Sequence, residues 1–130
     1  MKYILLMTGT KAGVGTYQAW TNGDRNTHMA ALLKINKELS DSGEFVATEG
    51  LAGPDEARVV RGRNNGVPVT DGVFAESKEF LLGYWIIDVE TPDRAYAIAS
   101  LISAAPGPGG VPTNMPIEVR QFASHAPKSQ

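Results

Sequence analysis

The stretch that decides the fold is Asp71-Gly-Val-Phe-Ala-Glu-Ser-Lys-Glu79, which runs directly into the apolar segment Phe80-Leu-Leu-Gly-Tyr-Trp-Ile-Ile87. The first part is acidic and begins with an Asp-Gly pair, which predicts a turn and then a loop. The second part is rich in aromatic and branched side chains, so it predicts the longest strand, over residues 80–89. The loop would supply polar side chains to the wall of a pocket beside that strand.

Signals for further elements lie on both sides of this strand. Upstream, Asn65-Gly66 predicts a hairpin because both residues tolerate positive φ. Downstream, Thr91 and Pro92 predict a helix start, as N-cap and first helical residue. The other predicted strands cover residues 3–7, 44–49, 57–61, 67–70 and 117–122, the first helix covers 24–42, and residues 9–23 are interpreted as a loop.

The first helix has an apolar face at helical spacing. The face consists of His28, Leu32, Ile35 and Leu39, with Met29 and Leu33 widening it. The second helix has an inner stripe rich in alanine, which would let it pack close to a sheet.

The order of elements predicts the fold class. Removing the hairpin leaves βαββαβ, the ferredoxin-like α+β unit, as a single domain over residues 1–123 with a disordered tail over 124–130. The helices would cover one face of the sheet, and the other face would remain apolar. Soluble monomers avoid such a patch, so we expect a homodimer that packs sheet on sheet.

Composition excludes several classes of function. The chain has 130 residues, a formal net charge of −2 and no cysteine, so disulfides and thiolate metal sites are excluded. No basic cluster indicates nucleic acid, no apolar run is long enough for a membrane, and the apolar start is too short for an export signal. We therefore expect a cytoplasmic protein that binds neither nucleic acid nor membrane.

Two patterns in the sequence bear on cofactor and metal sites. Gly9-Thr-Lys-Ala-Gly-Val-Gly15 follows a strand, but its lysine precedes the second glycine, so the spacing of a phosphate-binding loop fails. A single histidine in a regular element, with scattered carboxylates, is weak metal-ligand spacing. The sequence therefore predicts no metal and no cofactor.

Five residues are candidates for a site. His28 would act as a general base in a cleft between helix and sheet, or would be a histidine at the edge of the core with one hydrogen bond. Asp71 would orient that base, or would only form a turn. Lys78 would hold an anion, or would be ordinary solvated surface. Phe74 and Trp85 would line an aromatic pocket, or would belong to a dimer interface.

Five collinear blocks carry a resemblance to a known family. They are Met1-Lys-Tyr-Ile-Leu-Leu-Met7, Glu49-Gly-Leu51, Val69-Thr-Asp-Gly-Val-Phe-Ala-Glu-Ser-Lys-Glu79, Gly83-Tyr-Trp-Ile-Ile-Asp-Val89 and Ile117-Glu-Val-Arg120. Together they resemble the YCII-related family, in particular the branch named after an Asp-Gly-Pro-Phe motif. Val73 stands where that motif has proline.

The resemblance implies a dimeric α+β barrel. It also implies small-molecule chemistry in some relatives, with a His–Asp pair proposed as the active site, and an association with sigma factors in others. His28 lies where the family histidine lies on the first helix. The family aspartate belongs to an Asp-Pro step after the second helix, which here is Ala105-Pro106, and Asp71 is the candidate to replace it.

Two functions remain open at this point. One is a small-molecule-binding protein or enzyme that uses His28 in a cleft. The other is a non-catalytic regulatory or ligand-sensing module, which the missing aspartate favours.

Overall fold

A computed structural model describes residues 1–62, 65–66, 69–72 and 79–123, with the backbone alone for residues 69–72. The elements follow in chain order as β1 (Lys2–Gly9), α1 (Lys11–Gln18), α2 (Asn22–Ser42), β2 (Phe45–Gly50), β3 (Arg58–Arg61), β4 (Val69–Gly72), β5 (Phe80–Asp88), α3 (Pro92–Ser103) and β6 (Ile117–Gln121).

The main sheet has four strands in the order β2–β5–β1–β6, and all neighbours are antiparallel. Strands β3 and β4 pair separately as a hairpin. Without that hairpin, and with α2 and α3 as the covering helices, the order is that of the ferredoxin-like βαββαβ unit. The predicted α+β fold is confirmed.

The core lies between one face of the sheet and the helices α2 and α3. Tyr3 pairs with Ile87 and Leu5 with Trp85, which places these four side chains on the same face. Leu32 and Leu39 of α2 and the α3 residues Ala95, Ile98, Ala99 and Ile102 complete the cluster. The core-facing stripe predicted for each helix is therefore the stripe that the structure buries.

Local capping signals fix the ends of α2 and α3. The Thr91 hydroxyl accepts a hydrogen bond from the Arg94 amide, and Pro92 opens the helix. At the end of α2, Gly43 has a φ of 80° and closes the helix in the left-handed conformation. These signals are readable in the sequence, and both boundaries agree with the prediction.

The interpretation of residues 9–23 as a loop was wrong. Residues 11–18 form α1, whose N-cap Thr10 accepts a hydrogen bond from the Gly13 amide. The helix has two glycines and buries no residue, so propensity alone would not support it. Contacts of Tyr17 with side chains outside α1 supply what the local sequence lacks.

The prediction that Met29 and Leu33 widen the inner face of α2 was also wrong. Met29 is 46% exposed and Leu33 is 59% exposed. Each follows a buried residue by one position, and one position rotates a side chain by about 100° around a helix. The inward stripe of α2 is therefore narrow.

The Asp71-Gly72 pair was predicted to form a turn, but the backbone of both residues belongs to β4. Asp71 pairs with Val59, and Gly72 pairs with Arg58. The hairpin extends two residues further than predicted because pairing with β3 continues through this polar pair. Gly66 in the connection has a φ of 78°, as the Asn-Gly signal predicted.

The predicted tail over residues 124–130 lies outside the described residues.

The second face of the main sheet carries a row of apolar side chains that neither helix covers. Ile4 pairs with Ile86 and Leu6 with Tyr84, and all four are half-buried. We call these four residues the open face. Its rim is charged, with Glu118 and Arg120 on β6 and Glu49 on β2.

An ion pair joins the start of β2 to α3. Arg94 Nε donates to Glu44 Oε2 and Nη2 to Oε1, both at 2.9 Å. The hydrogen bonds from Arg94 hold the pKa of Glu44 below its ordinary value of 4.5, a second bond from Ser42 adds to this, and partial burial opposes it.

We expect the Glu44–Arg94 pair to make stability pH-dependent. A carboxylate whose folded pKa is lowered contributes stability above about pH 4.5, and the contribution is lost as pH falls through the folded pKa. Glu44→Gln should therefore cost at most about 1 kcal/mol at neutral pH, because Arg94 is partly exposed, and almost nothing at pH 3. Urea unfolding at both pH values checks this, with Glu38→Gln at an exposed carboxylate as control. An equal cost at both values would contradict it.

Candidate functional site

His28 is the one buried polar side chain in the part of the chain that the structure describes, and it is 6% exposed. It lies on the inward stripe of α2, one turn before Leu32. Its burial follows from the helical spacing that the sequence predicted. A buried imidazole has to find partners for its nitrogens, because an unpaired polar group in the interior is costly.

A backbone carbonyl holds one nitrogen of the His28 ring. Nδ1 lies 3.0 Å from the carbonyl oxygen of Pro106. A carbonyl oxygen can only accept a hydrogen bond, so Nδ1 carries the proton and donates. The neutral ring is therefore the Nδ1–H tautomer, and the lone pair lies on Nε2.

The second nitrogen of the ring reaches solvent. Nε2 has no hydrogen-bond partner among the described residues. In the same part of the chain, every side-chain nitrogen or oxygen that is sealed from solvent has a hydrogen-bond partner. Nε2 is therefore not sealed, and the small exposed fraction of His28 includes this atom.

Two aromatic rings from the α1 region lie against the imidazole. The Trp20 ring centroid is 5.5 Å from that of His28 at an interplanar angle of 87°, and the Tyr17 centroid is 6.1 Å away at 67°. The ring centroids of Tyr17 and Trp20 are also 4.9 Å apart. These separations and angles are those of favourable edge-to-face contacts. We call Tyr17 and Trp20 the aromatic wall.

The loop that supplies the Pro106 carbonyl is held at several points. The Gly107 amide donates to the Val111 carbonyl at 2.6 Å, and the Thr113 amide donates to the Ala105 carbonyl at 3.1 Å. A Cβ on Gly107 would lie 3.4 Å from the Trp20 ring and 3.2 Å from the Val111 carbonyl. A side chain at Gly107 would therefore crowd the loop's own Val111 carbonyl, and Trp20 lies against the same loop.

The Ala105-Pro106 step, where the resemblance puts an aspartate, lies next to His28. The contact is made by the Pro106 backbone, and the buried Ala105 methyl carries no charge. A carbonyl can fix the tautomer as a carboxylate does, but it provides no negative charge to stabilise an imidazolium ion. The site therefore has an oriented imidazole and lacks a charged orienting group at this step.

The other predicted site residues stand as follows. The Asp71 backbone lies in β4, its side chain is outside the described part, and Phe74 and Lys78 are outside the described residues. Trp85 is 6% exposed in the core, and its Nε1 donates to Asn36 Oδ1 at 2.8 Å. The structure therefore brings none of these four into a described contact with His28.

The sequence did not predict three neighbours of His28, which are Tyr17, Trp20 and Pro106. One signal was available, because Tyr17 and Trp20 are three residues apart and Trp20 directly precedes Thr21, the N-cap of the helix that carries His28. Pro106 could not have been found by residue type, since it contributes only its carbonyl.

Two searches of the described residues concern metal ions and membrane spans. No group of three or more histidine, aspartate or glutamate residues suitable for a metal ion occurs in residues 1–62 and 79–123 or the short segments described between them. No helix of the described chain has the length and apolar character needed to span a bilayer.

Comparison with known proteins identifies relatives of the chain. Residues 1–117 match the family model of the YCII-related domain. An uncharacterised protein of Rhizobium meliloti (strain 1021) is 30% identical over 110 residues, which is 84% of this chain and 84% of the relative. The family-model match over residues 1–117 covers α1, α2 and α3, so it includes every residue described around His28.

Proposed function

Since the chain belongs to the YCII-related family and carries a buried imidazole with one open nitrogen, we propose that it binds a small molecule at His28. The observation that carries the proposal is the contact between His28 Nδ1 and the Pro106 carbonyl, which favours the Nδ1–H tautomer and leaves the Nε2 lone pair without a partner in the described chain. Nε2 would accept a proton from the bound molecule, as a general base. The aromatic wall would supply apolar contact area beside it.

A second candidate is a ligand-sensing module that binds without turnover. The observation that favours it is Ala105, because the step that faces His28 has no carboxylate to stabilise the imidazolium ion formed during proton transfer. Asp71 remains our candidate for the missing carboxylate, and Phe74, Lys78 and Trp85 remain candidate binding residues. Retained turnover that disappears in His28→Ala would favour the enzyme.

We also propose that the chain acts as a homodimer. The support is the open face, whose four apolar side chains are covered by neither helix. They are Ile4, Leu6, Tyr84 and Ile86. A second copy packed sheet on sheet would remove this apolar surface from water.

We further propose membership in the Asp-Gly-Pro-Phe branch, from the block at residues 69–79, and a cytoplasmic location.

Chemical modification of His28 tests the small-molecule proposal. In a His125→Gln variant His28 is the remaining histidine of the chain, so carbethoxylation of histidine by diethyl pyrocarbonate reports on the His28 ring. We expect His28 to react in the folded protein, more slowly than free imidazole, because Nε2 is open while most of the ring is covered. We also expect members of a panel of small aromatic acids, alcohols and amides to protect it.

The unfolded protein is the reference for this experiment. Reaction only after unfolding in urea would mean that Nε2 is sealed, and the site would have to be abandoned. Reaction in the folded protein without protection by any class in the panel would argue against a ligand cleft. The double variant His28→Gln, His125→Gln gives the background of modification at other groups.

A further inference from the structure

A cationic side chain lies one turn before His28 on the same helix. Arg25 and His28 are three residues apart on α2, and side chains at that spacing are neighbours with Cβ atoms about 5–6 Å apart. Arg25 is partly buried. Its Nη1 donates to the Gln18 carbonyl at 2.8 Å, at the end of α1 beside Tyr17.

The charge of Arg25 has no counterion among the described residues. Its Nη2 donates to the Asn22 side-chain oxygen at 2.6 Å, so both acceptors are neutral. No described carboxylate pairs with it. By contrast, Arg94 forms a two-bond pair with Glu44. Guanidinium has five N–H donors in a fixed fork, so Arg25 keeps donors for an anion.

Three features thus converge at the start of α2. Arg25 contributes an uncompensated charge, and His28 contributes an unpartnered nitrogen on a side chain that is more than nine-tenths buried. The aromatic wall lies beside both, since Tyr17 contacts His28 and directly precedes Gln18, whose carbonyl accepts from Arg25. Neutral acceptors hold the guanidinium in place without neutralising it.

We infer that the His28 site takes a small organic acid, with its carboxylate on Arg25 and a flat apolar or aromatic body against Tyr17 and Trp20. This inference rests on the proposed function and specifies the ligand class of the same site. A planar carboxylate matches the guanidinium fork in geometry and charge. A flat body matches the edge and face contacts that aromatic rings make. The end of the ligand nearest His28 would lie within reach of Nε2.

Benzoate and its neutral isostere benzamide are the probes that test the ligand class. Binding to the full chain is measured by chemical-shift perturbation of His28 and Trp20 in NMR titrations. We expect benzoate to bind more tightly than benzamide, and its affinity to fall with added salt while that of benzamide does not. Arg25→Gln should weaken benzoate binding about tenfold or more and leave benzamide unchanged.

Two control variants separate charge from structure. Lys34→Gln removes the same charge from an exposed position on α2, and it should leave benzoate binding unchanged. Asn22→Ala removes one anchor of Arg25 but keeps its charge, and it should retain most of the affinity. An unchanged Trp20 indole resonance in the NMR spectrum of Arg25→Gln, resolved from that of Trp85, shows that the aromatic wall has not moved.

The outcomes distinguish this inference from the proposed function. Equal binding of benzoate and benzamide at His28, insensitive to Arg25→Gln, would overturn the acid preference while leaving a small-molecule site. Perturbation of neither His28 nor Trp20 by either probe, together with an unreactive His28, would overturn both. An equal loss of benzoate binding in Lys34→Gln and Arg25→Gln would assign the effect to net charge and overturn the role of Arg25.

Discussion

Ile86→Glu is expected to convert the proposed homodimer to a monomer at micromolar concentration. Ile86 lies at the centre of the open face, paired with Ile4 on β1 and Ala47 on β2. In a sheet-on-sheet dimer its side chain would be desolvated, and an unpaired carboxylate there would cost several kcal/mol. In the isolated subunit the position is only half-buried, so the fold should survive. Light scattering with circular dichroism measures both properties.

Leu33→Glu is the matched control for the dimer. Leu33 is also a large apolar residue at a partly exposed position, but it lies on the outer side of α2, away from the sheet. This variant should remain a dimer. A dimer that survives Ile86→Glu and dissociates with Leu33→Glu would place the interface on the helices. A monomeric parent protein would remove the assembly proposal altogether.

Ile102→Ala is expected to have the largest effect on stability. Ile102 is fully buried in α3, within the cluster that joins both helices to the sheet. Truncation removes three methyl or methylene groups and leaves a cavity, which together cost about 2–5 kcal/mol. The adjacent Leu101 is 49% exposed, so Leu101→Ala should cost about 0.5 kcal/mol or less. The pair differs mainly in which side of the helix is truncated.

Urea unfolding measures both costs at neutral pH. If the transition is cooperative and the dependence of the unfolding free energy on urea concentration is unchanged, the shift in midpoint measures the change in stability. Equal costs for the two variants would mean that α3 does not present Ile102 to the core. That result would contradict the register of the helix on the sheet.

The fold was predictable because its signals are local and mutually consistent. Thr91 with Pro92, Gly43 and Asn65-Gly66 each specify a boundary through backbone chemistry that the residues themselves determine. The spacing from His28 to Leu39 identified the buried face of α2. Helix α1 was missed because its sequence, with two glycines and no apolar stripe, is interpretable as a loop unless its tertiary contacts are known.

The site was predictable only in part. His28 could be singled out because a histidine on an apolar stripe needs a partner, but the partner is the Pro106 carbonyl, which every residue type offers equally. Arg25 and Gln18 meet only because α1 turns back toward α2, so their contact has no sequence signature. The Asp71 interpretation stays a prediction, since its side chain is outside the described part of the chain.

The tautomer of His28 is the measurement that tests the central claim most directly. Two-bond ¹H–¹⁵N correlation spectra of the His125→Gln variant, at a pH where the imidazole is neutral, identify which ring nitrogen carries the proton. The Pro106 contact predicts protonated Nδ1 and an unprotonated Nε2, with the Nε2 resonance responding to a bound ligand. A proton on Nε2 would contradict the account, because the lone pair would then point at the loop and the open nitrogen could not accept a proton.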